Sequence, residues 1–277
     1  MTTDRRRFLA KTSGAMAVMA TAAGAPGVIA QPKVQWRMPT AWPASLLQQT
    51  TAHLLAQVVE RMSGGRFRIE VFPAGQLALP FDLFESVSKG AIEAFMGSPQ
   101  YWQDREPALE WFATIPFGMN PQGMTAWFYQ GDGLTLWEEI CARFNIVPRP
   151  IPTAAGTVND FGFNKKAYDG LPVDLKRTLD HAVAATQAFA LTNYRTRNAI
   201  ALERLKTEFK GKVEVVQLPA PVLRDLKKLS VDVVREQSEK TPAARKVHAS
   251  FTRFQALVGP WDLVAESAYH QLLAGTT

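Results

Sequence analysis

Three short segments hold side chains suited to recognising a small polar molecule: Thr40-Ala41-Trp42, Pro73-Ala74-Gly75-Gln76 and Ser98-Pro99-Gln100-Tyr101-Trp102. Each follows an apolar run and carries an amide or hydroxyl group, joined by aromatic rings in the first and third, the usual make-up of a ligand pocket. Trp42, Gln76, Gln100, Tyr101 and Trp102 are therefore the candidate binding residues. Tyr101 can donate a hydrogen bond to a carboxylate, Gln76 and Gln100 can hold a hydroxyl or keto oxygen, and the tryptophans can wall a cleft. The competing reading of Trp42, Tyr101 and Trp102 is that they pack one loop against the next.

Bond-making chemistry has no comparable constellation. The chain holds no Gly-x-Ser-x-Gly elbow, no Gly-x-x-x-x-Gly-Lys phosphate loop and no His-Glu-x-x-His pair. Gly131-Asp132-Gly133 reads as a turn and is too short for a nucleotide fingerprint. Glu138 and Glu139 are adjacent, so on a helix they point in different directions and cannot converge on one substrate. Cys141 is the sole cysteine, which excludes an intramolecular disulfide, and its apolar surroundings suit a buried structural thiol. His53, His181, His248 and His270 are far apart and lack metal-ligand spacing. The expectation is a binding protein, not an enzyme.

The loops must be positioned by the elements that precede them. Val34–Met38 reads as a strand, and Leu46, Leu47, Leu54, Leu55, Val58, Val59 and Met62 recur at helical spacing up to a Gly64-Gly65 cap. Phe67, Ile69 and Val71 alternate as a second strand, a helix is expected over about Leu79–Lys89, and a third strand over Ala91–Met96. This βαβαβ order implies a parallel sheet with right-handed crossovers, and ligands of such sheets bind beyond the carboxyl ends of the strands. Farther on, Pro172 opens a long helix ending near Gly211, Val213–Leu218 reads as a strand, and helices follow over Pro221–Glu239, Pro242–Leu257 and Pro260–Leu273.

The amino terminus reads as an export signal. Arg5-Arg6-Arg7-Phe8-Leu9 is a twin-arginine start, an Ala-rich stretch runs from Gly14 to Ala23, and Val28-Ile29-Ala30 suits signal peptidase, placing cleavage after Ala30. The apolar run is shorter than the ~20 residues a bilayer span needs. The expected location is the periplasm. Half of the formal +6 charge lies in those first residues, and Lys165-Lys166, Lys210/Lys212 and Lys227-Lys228 are short clusters without interleaved aromatics. They read as solvated faces, so no nucleic-acid partner is expected.

Trp36-Arg37-Met38-Pro39-Thr40-Ala41-Trp42-Pro43, Met62-Ser63-Gly64-Gly65-Arg66, Phe72-Pro73-Ala74-Gly75-Gln76-Leu77, Tyr101-Trp102, Ile115–Met119, the Trp127–Trp137 segment and Phe163–Pro172 together carry a resemblance. The chain resembles the extracytoplasmic solute receptors of TRAP transporters, in the branch associated with 2-oxo acids and other small organic carboxylates. The resemblance implies a two-lobed α/β fold of the periplasmic-binding-protein type, capture of a small organic acid, and delivery to membrane permease subunits. It leaves open a sodium or calcium ion bridging the ligand, and a homodimer.

One departure stands out. Such receptors carry a long segment between the stretches matching Pro148–Pro152 and Asn164-Lys165-Lys166, including the arginine that clamps the ligand carboxylate and a Glu-Trp pair near the ligand or its cation. Here only Thr153–Phe163 fills that interval, and no arginine lies between Arg149 and Arg177. The expected organisation is a signal peptide over residues 1–30, a βαβαβ first lobe over 31–155, and a truncated second lobe with a helical carboxyl-terminal region over 156–277. Helices that would pack on the missing strands are expected to keep uncovered apolar faces. The alternative reading is an internally deleted, non-binding remnant of such a receptor.

Overall fold

The computed structural model describes residues 33–153 and 157–274; the expected signal peptide and its cleavage site lie outside them. Strand β1 (Val34–Pro39) pairs in parallel with β2 (Phe67–Phe72), in register from Val34 opposite Phe67 to Pro39 opposite Phe72. Their alternation buries Trp36, Met38, Phe67 and Ile69 and turns Gln35, Arg37, Arg68 and Glu70 outward. The crossover is helix α1 (Leu47–Met62), which lays Ala52, Leu55, Ala56 and Val59 on the sheet. It stops where Gly64 and Gly65 take φ of 61° and 78°, a left-handed turn that glycine adopts without a Cβ penalty. Helix α2 (Leu83–Ser88) leads to β3 (Ala94–Gly97), which joins β1 through a parallel bridge between Thr40 and Met96. The helix is shorter than the Leu79–Lys89 expectation because Pro80 opens a 3-10 turn over Pro80–Asp82 first.

Two further strands form a second small sheet with β3. β4 (Ile146–Pro152) and β5 (Val158–Asn164) are antiparallel, and β5 also pairs with β3, so the order runs β3-β5-β4. β4 carries Pro148, Pro150 and Pro152 at alternate positions facing β5 residues Gly162, Asp160 and Val158. Proline has no N–H to donate, so this spacing fits an edge strand whose proline nitrogens face away from β5, though the rings are buried. Every residue of β5 is buried, which erases the alternation that would mark it in the sequence. The boundary expected at residue 155 falls between these two paired strands, so residues 158–164 belong to the same sheet as β3.

Around the sheet, α3 (Pro121–Gln130) and α4 (Gly133–Ala142) enclose an aromatic stack. The Phe112 ring lies 4.9 Å from Trp137 and 5.7 Å from Trp127, both parallel to it, and Phe251 meets Trp127 edge-on at 5.3 Å. Cys141 is buried there, as expected. After the short α5 (Lys165–Asp169) comes α6 (Val173–Thr207), whose first half buries Leu175, Leu179, Ala182, Val183, Thr186 and Ala190. Beyond Ala190 no residue of α6 is buried.

The carboxyl-terminal region follows the expected helices with two corrections, one of them that Pro260 lies inside the helix Pro242–Trp261 and opens no separate one. Val213–Leu218, expected as a strand, joins no sheet among the described residues, and Val213, Val215, Val216 and Leu218 are exposed. A strand needs a partner edge, and none is offered to it here. Helix α7 (Ala220–Ser238) likewise leaves Leu226, Leu229, Val231 and Val233 largely in solvent. Helix α8 (Pro242–Trp261) starts at Thr241, whose hydroxyl accepts from the Ala244 amide at 3.0 Å, and buries Ala244, Val247, Ser250 and Phe251. It runs through a π-helical turn (Asp262–Ser267) into α9 (Ala268–Ala274). No helix among the described residues is long and apolar enough to cross a membrane.

Candidate ligand cleft

The three strand-end loops converge. The Thr40 amide donates to the Phe72 carbonyl at 2.8 Å, the Ala41 amide to Met96 at 2.9 Å, and the Ala74 amide to Trp42 at 2.9 Å. Gln49 of α1 fastens this junction: its side-chain amide donates to the Thr40 hydroxyl and, at 2.9 Å, to the Trp42 carbonyl. Gln49 is buried. One of two adjacent glutamines inside a helical pattern, Gln48 and Gln49, gives no sequence signal for such a role.

The five candidate residues separate into three groups. Gln100 and Tyr101 line a cavity of about 700 Å³ between the strand-end loops and α7. Trp42 is buried behind Tyr101, ring centroids 6.4 Å apart, and holds it from the sheet side. Phe81 meets the Tyr101 ring at 5.4 Å. Trp102 does not face the cavity: it stacks on Phe84 at 5.3 Å and meets Phe95 at 4.7 Å, with 3% exposure. Gly97 makes that slot, since a Cβ there would fall 2.2 Å from the Trp102 ring. Gln76 is exposed in the turn after β2 and is not part of the cavity lining.

The opposite wall and rim come from residues that the sequence reading did not single out. Glu110 and Trp111 belong to a 3-10 segment (Pro107–Phe112), while Leu226, Leu229, Ser230, Val233 and Gln237 come from α7. Burial pushes the Glu110 carboxyl above its ordinary range, with Lys240 opposing. The side-chain oxygen of Gln237 is buried without a hydrogen-bond partner. The lining contains the carboxyl groups of Asp104 and Glu110 but no Lys, Arg or His.

Arg149, the last arginine before the shortened interval, is committed elsewhere. It donates to Glu138 at 2.6 Å, Asp180 at 3.3 Å and the Tyr168 hydroxyl at 3.1 Å. Burial alone would lower its pKa, but Tyr168, Asp180 and Glu138 outweigh it and raise it. Burial, together with the Asp180 carboxylate, pushes the Tyr168 phenol up to about 12. This guanidinium has no face left for a ligand. As the adjacent spacing requires, Glu138 points to Arg149 while Glu139 pairs with Lys246 at 2.6 Å. No group of three or more His, Cys, Asp or Glu side chains among the described residues is placed to hold a metal.

A family model, bacterial extracellular solute-binding protein family 7, matches residues 38–147 and 151–241. The chain belongs to this family. Its members are solute-binding receptors and not enzymes. A monocarboxylate 2-oxoacid-binding periplasmic protein from Nostoc sp. is 24% identical over 332 residues, covering 88% of this chain and 90% of that protein. A TRAP transporter solute-binding protein from Bordetella bronchiseptica, a dimer with copurified calcium and picolinate in one site, superposes with a TM-score of 0.83 at 21% identity. That match covers 88% of this chain and 98% of the other. A TRAP periplasmic solute-binding protein from Pseudoalteromonas atlantica, with bound sodium and pyruvate, gives a TM-score of 0.82 at 20% identity, over 87% and 99% of the two chains. The family 7 chain thus has the α/β fold of TRAP solute receptors, as the resemblance implied.

Proposed function

We propose that this chain is the extracytoplasmic receptor of a TRAP transporter, capturing a small organic acid in the periplasm and delivering it to membrane permease subunits. The observation that carries the reading is the family 7 match on both sides of the β4–β5 junction, in a fold whose strand-end loops border a ligand-sized cavity. Export through the residue 1–30 signal, with cleavage after Ala30, belongs to the same reading. The acid class comes from the ligands of relatives: 2-oxo acids for the Nostoc protein, and pyruvate for the Pseudoalteromonas one.

The reading includes a shortened second lobe. An alignment of 332 positions is longer than this 277-residue chain, and the family match breaks between residues 147 and 151, beside the short interval. The uncovered faces of α7 and Val213–Leu218 agree with lost packing partners. A non-binding remnant is not favoured, because the strand-end loops are tied together and cavities persist against α7. Gln100 and Tyr101 are the loop-side contacts, offering an amide and a hydroxyl to a hydroxyl or keto oxygen of the solute. Trp42 and Trp102 brace these loops from behind, and Gln76 stands outside the cleft.

Sodium or calcium is bound together with the ligand in the relatives, and a sodium or calcium ion bridging the acid belongs to the same reading. Both ions take oxygen ligands, which the acid itself supplies in part. A homodimer is supported by the dimeric Bordetella protein alone. Equilibrium dialysis of labelled pyruvate against the exported chain tests the reading. Saturable binding displaced by other 2-oxo acids is expected; no binding of any 2-oxo acid, monocarboxylate or C4 dicarboxylate would overturn it.

A further inference from the structure

Two cavities flank α7, and they carry opposite charge. The first, against Gln100 and Tyr101, holds Asp104 and Glu110 and no cation. The second, of about 420 Å³, lies between α7, the Ile115–Gly118 turn and α8; its lining holds Lys227, Arg235 and His248 and no carboxylate. The two share Ile115, Pro116, Ser230 and Val234, so α7 lies across a common groove and divides it. A carboxylate placed in the first compartment meets like charge; in the second the lining itself offers only cations and neutral groups, with Asp232 beside Arg235 and Glu239 near His248 as the surrounding acids. Electrostatics of this kind set which ligand is admitted.

The second compartment is a built one. Lys227, Val231, Val234 and Arg235 recur at helical spacing on one face of α7, and His248, Phe251, Thr252 and Gln255 do so on α8. Lys227 and Arg235 stand eight residues apart, about 12 Å along the axis, and their long side chains can converge on one small acid between them. Lys227 makes no ion pair among the described residues. Arg235 pairs only with Asp232, and both are more than half exposed, a pairing weak enough for an incoming carboxylate to compete with. The Trp111 indole N–H donates to His248 Nδ1 at 3.3 Å, which fixes the ring and leaves Nε2 to donate. At the wall, Phe117 holds a left-handed φ of 55°, costly for a residue with a Cβ. Its carbonyl accepts from Gln255 at 3.1 Å. Gly118 beside it lets the turn approach Phe251, since a Cβ would fall 3.1 Å from that ring and 2.8 Å from the Ile115 carbonyl.

We infer that this cationic compartment is the carboxylate-binding site of the shortened receptor, with Lys227 and Arg235 pairing the ligand's carboxylate and His248 donating to it. The inference rests on the reading of the chain as an organic-acid receptor. It names residues on α7 and α8 for a charge-pairing task that Arg149 cannot perform, and since α7 separates the two compartments, for an acid as small as pyruvate this site takes the place of the Gln100 and Tyr101 contacts.

Titration calorimetry with pyruvate and with its uncharged amide, pyruvamide, tests it on the full exported chain. The variants are Lys227→Gln, Arg235→Gln and the double variant. All leave the fold intact, because both side chains are exposed, and melts verify this. Pyruvate affinity is expected to fall about 10- to 100-fold for the double variant, the loss of charge-assisted bonds. Pyruvamide is expected to bind weakly to every form. Pyruvate binding that survives the double variant within twofold would overturn the inference and leave the receptor reading standing. Failure of the unaltered chain to bind pyruvate, lactate or succinate would overturn both.

Discussion

Glu106 is the residue whose removal should be felt most widely for its size. It is buried at 7% exposure, at the start of the 3-10 segment that carries Glu110 and Trp111. Its carboxylate accepts from the Ala108 amide at 3.3 Å, from the Thr241 hydroxyl at 2.8 Å and from Arg143 at 2.8 Å. It thereby ties the cleft wall to the start of α8 and the end of α4. Bonds to a charged acceptor contribute about 1.5 kcal/mol each at the low end. Arg143 is 54% exposed, so its pair adds no more than about 0.5 kcal/mol. Glu106→Ala should therefore cost about 3 kcal/mol, and Glu106→Gln, which keeps neutral acceptors, about 1 kcal/mol. For a chain of this size each kcal/mol moves the midpoint by roughly 2–4 °C, giving roughly 6–12 °C and 2–4 °C.

The pH dependence has a definite sign. Burial alone would raise the Glu106 carboxyl, but Thr241, Arg143 and the Ala108 amide outweigh it and hold it below the ordinary carboxylate range. A group depressed in the fold stabilises fully above its unfolded value, about 4.3, and that stability is lost as pH falls through the folded value. The gap in Tm between unaltered chain and Glu106→Gln should thus be constant from pH 8 to 6 and close as pH falls below about 4. Circular-dichroism melts at pH 7, 5 and 3.5 measure it. A Glu106→Ala midpoint within 1 °C of the unaltered chain, or a gap that widens in acid, would refute this assignment.

Other perturbations separate structural from ligand-facing roles. Gly97→Ala forces Trp102 from its slot between Phe84 and Phe95 and should cost roughly 1–3 kcal/mol, read as a lower Tm with altered tryptophan fluorescence; an unchanged spectrum would place Trp102 elsewhere. Gln49→Leu removes one donor each from the Thr40 hydroxyl and the Trp42 carbonyl, which keep the Trp42 amide and the Ala74 amide respectively, and should cost about 1 kcal/mol by urea denaturation. Arg149→Met leaves Glu138 and Asp180 facing each other without their cation and should cost about 3 kcal/mol. Pyruvate affinity of the folded Arg149→Met protein should stay within twofold, and a tenfold loss would make Arg149 a ligand contact.

The parts of the fold legible in the sequence are those with a clean period. Trp36/Met38 and Phe67/Ile69 alternate because one face of the sheet is covered and the other is wet, and α1 ends at Gly64-Gly65 for lack of a Cβ. β5 was not legible: Val158–Asn164 is buried on both faces, so no alternation survives, and β4 was masked by prolines that only an edge strand tolerates. Val213–Leu218 shows the reverse failure, a strand pattern without an edge to join. In the cleft, chemistry at strand ends located Gln100 and Tyr101, yet the same aromatic composition could not distinguish Trp102, turned inward over Gly97, from a cleft wall. Glu110 on one side of α7, and Lys227, Arg235 and His248 on the other, take their places only through the crossing of α7 over Ile115 and Pro116, a contact more than a hundred residues apart in sequence that no local pattern encodes.

The central claim, that a family 7 receptor with a short β4–β5 connection still holds an organic acid, is tested most directly by a thermal melt of the exported chain with and without pyruvate. A ligand at about 100 times its dissociation constant adds about 2.7 kcal/mol to stability. A cooperative transition that rises by roughly 5–10 °C with pyruvate or a longer 2-oxo acid, and not with the matching amide, is the predicted result. A cooperative transition that no 2-oxo acid, monocarboxylate or C4 dicarboxylate shifts would contradict it.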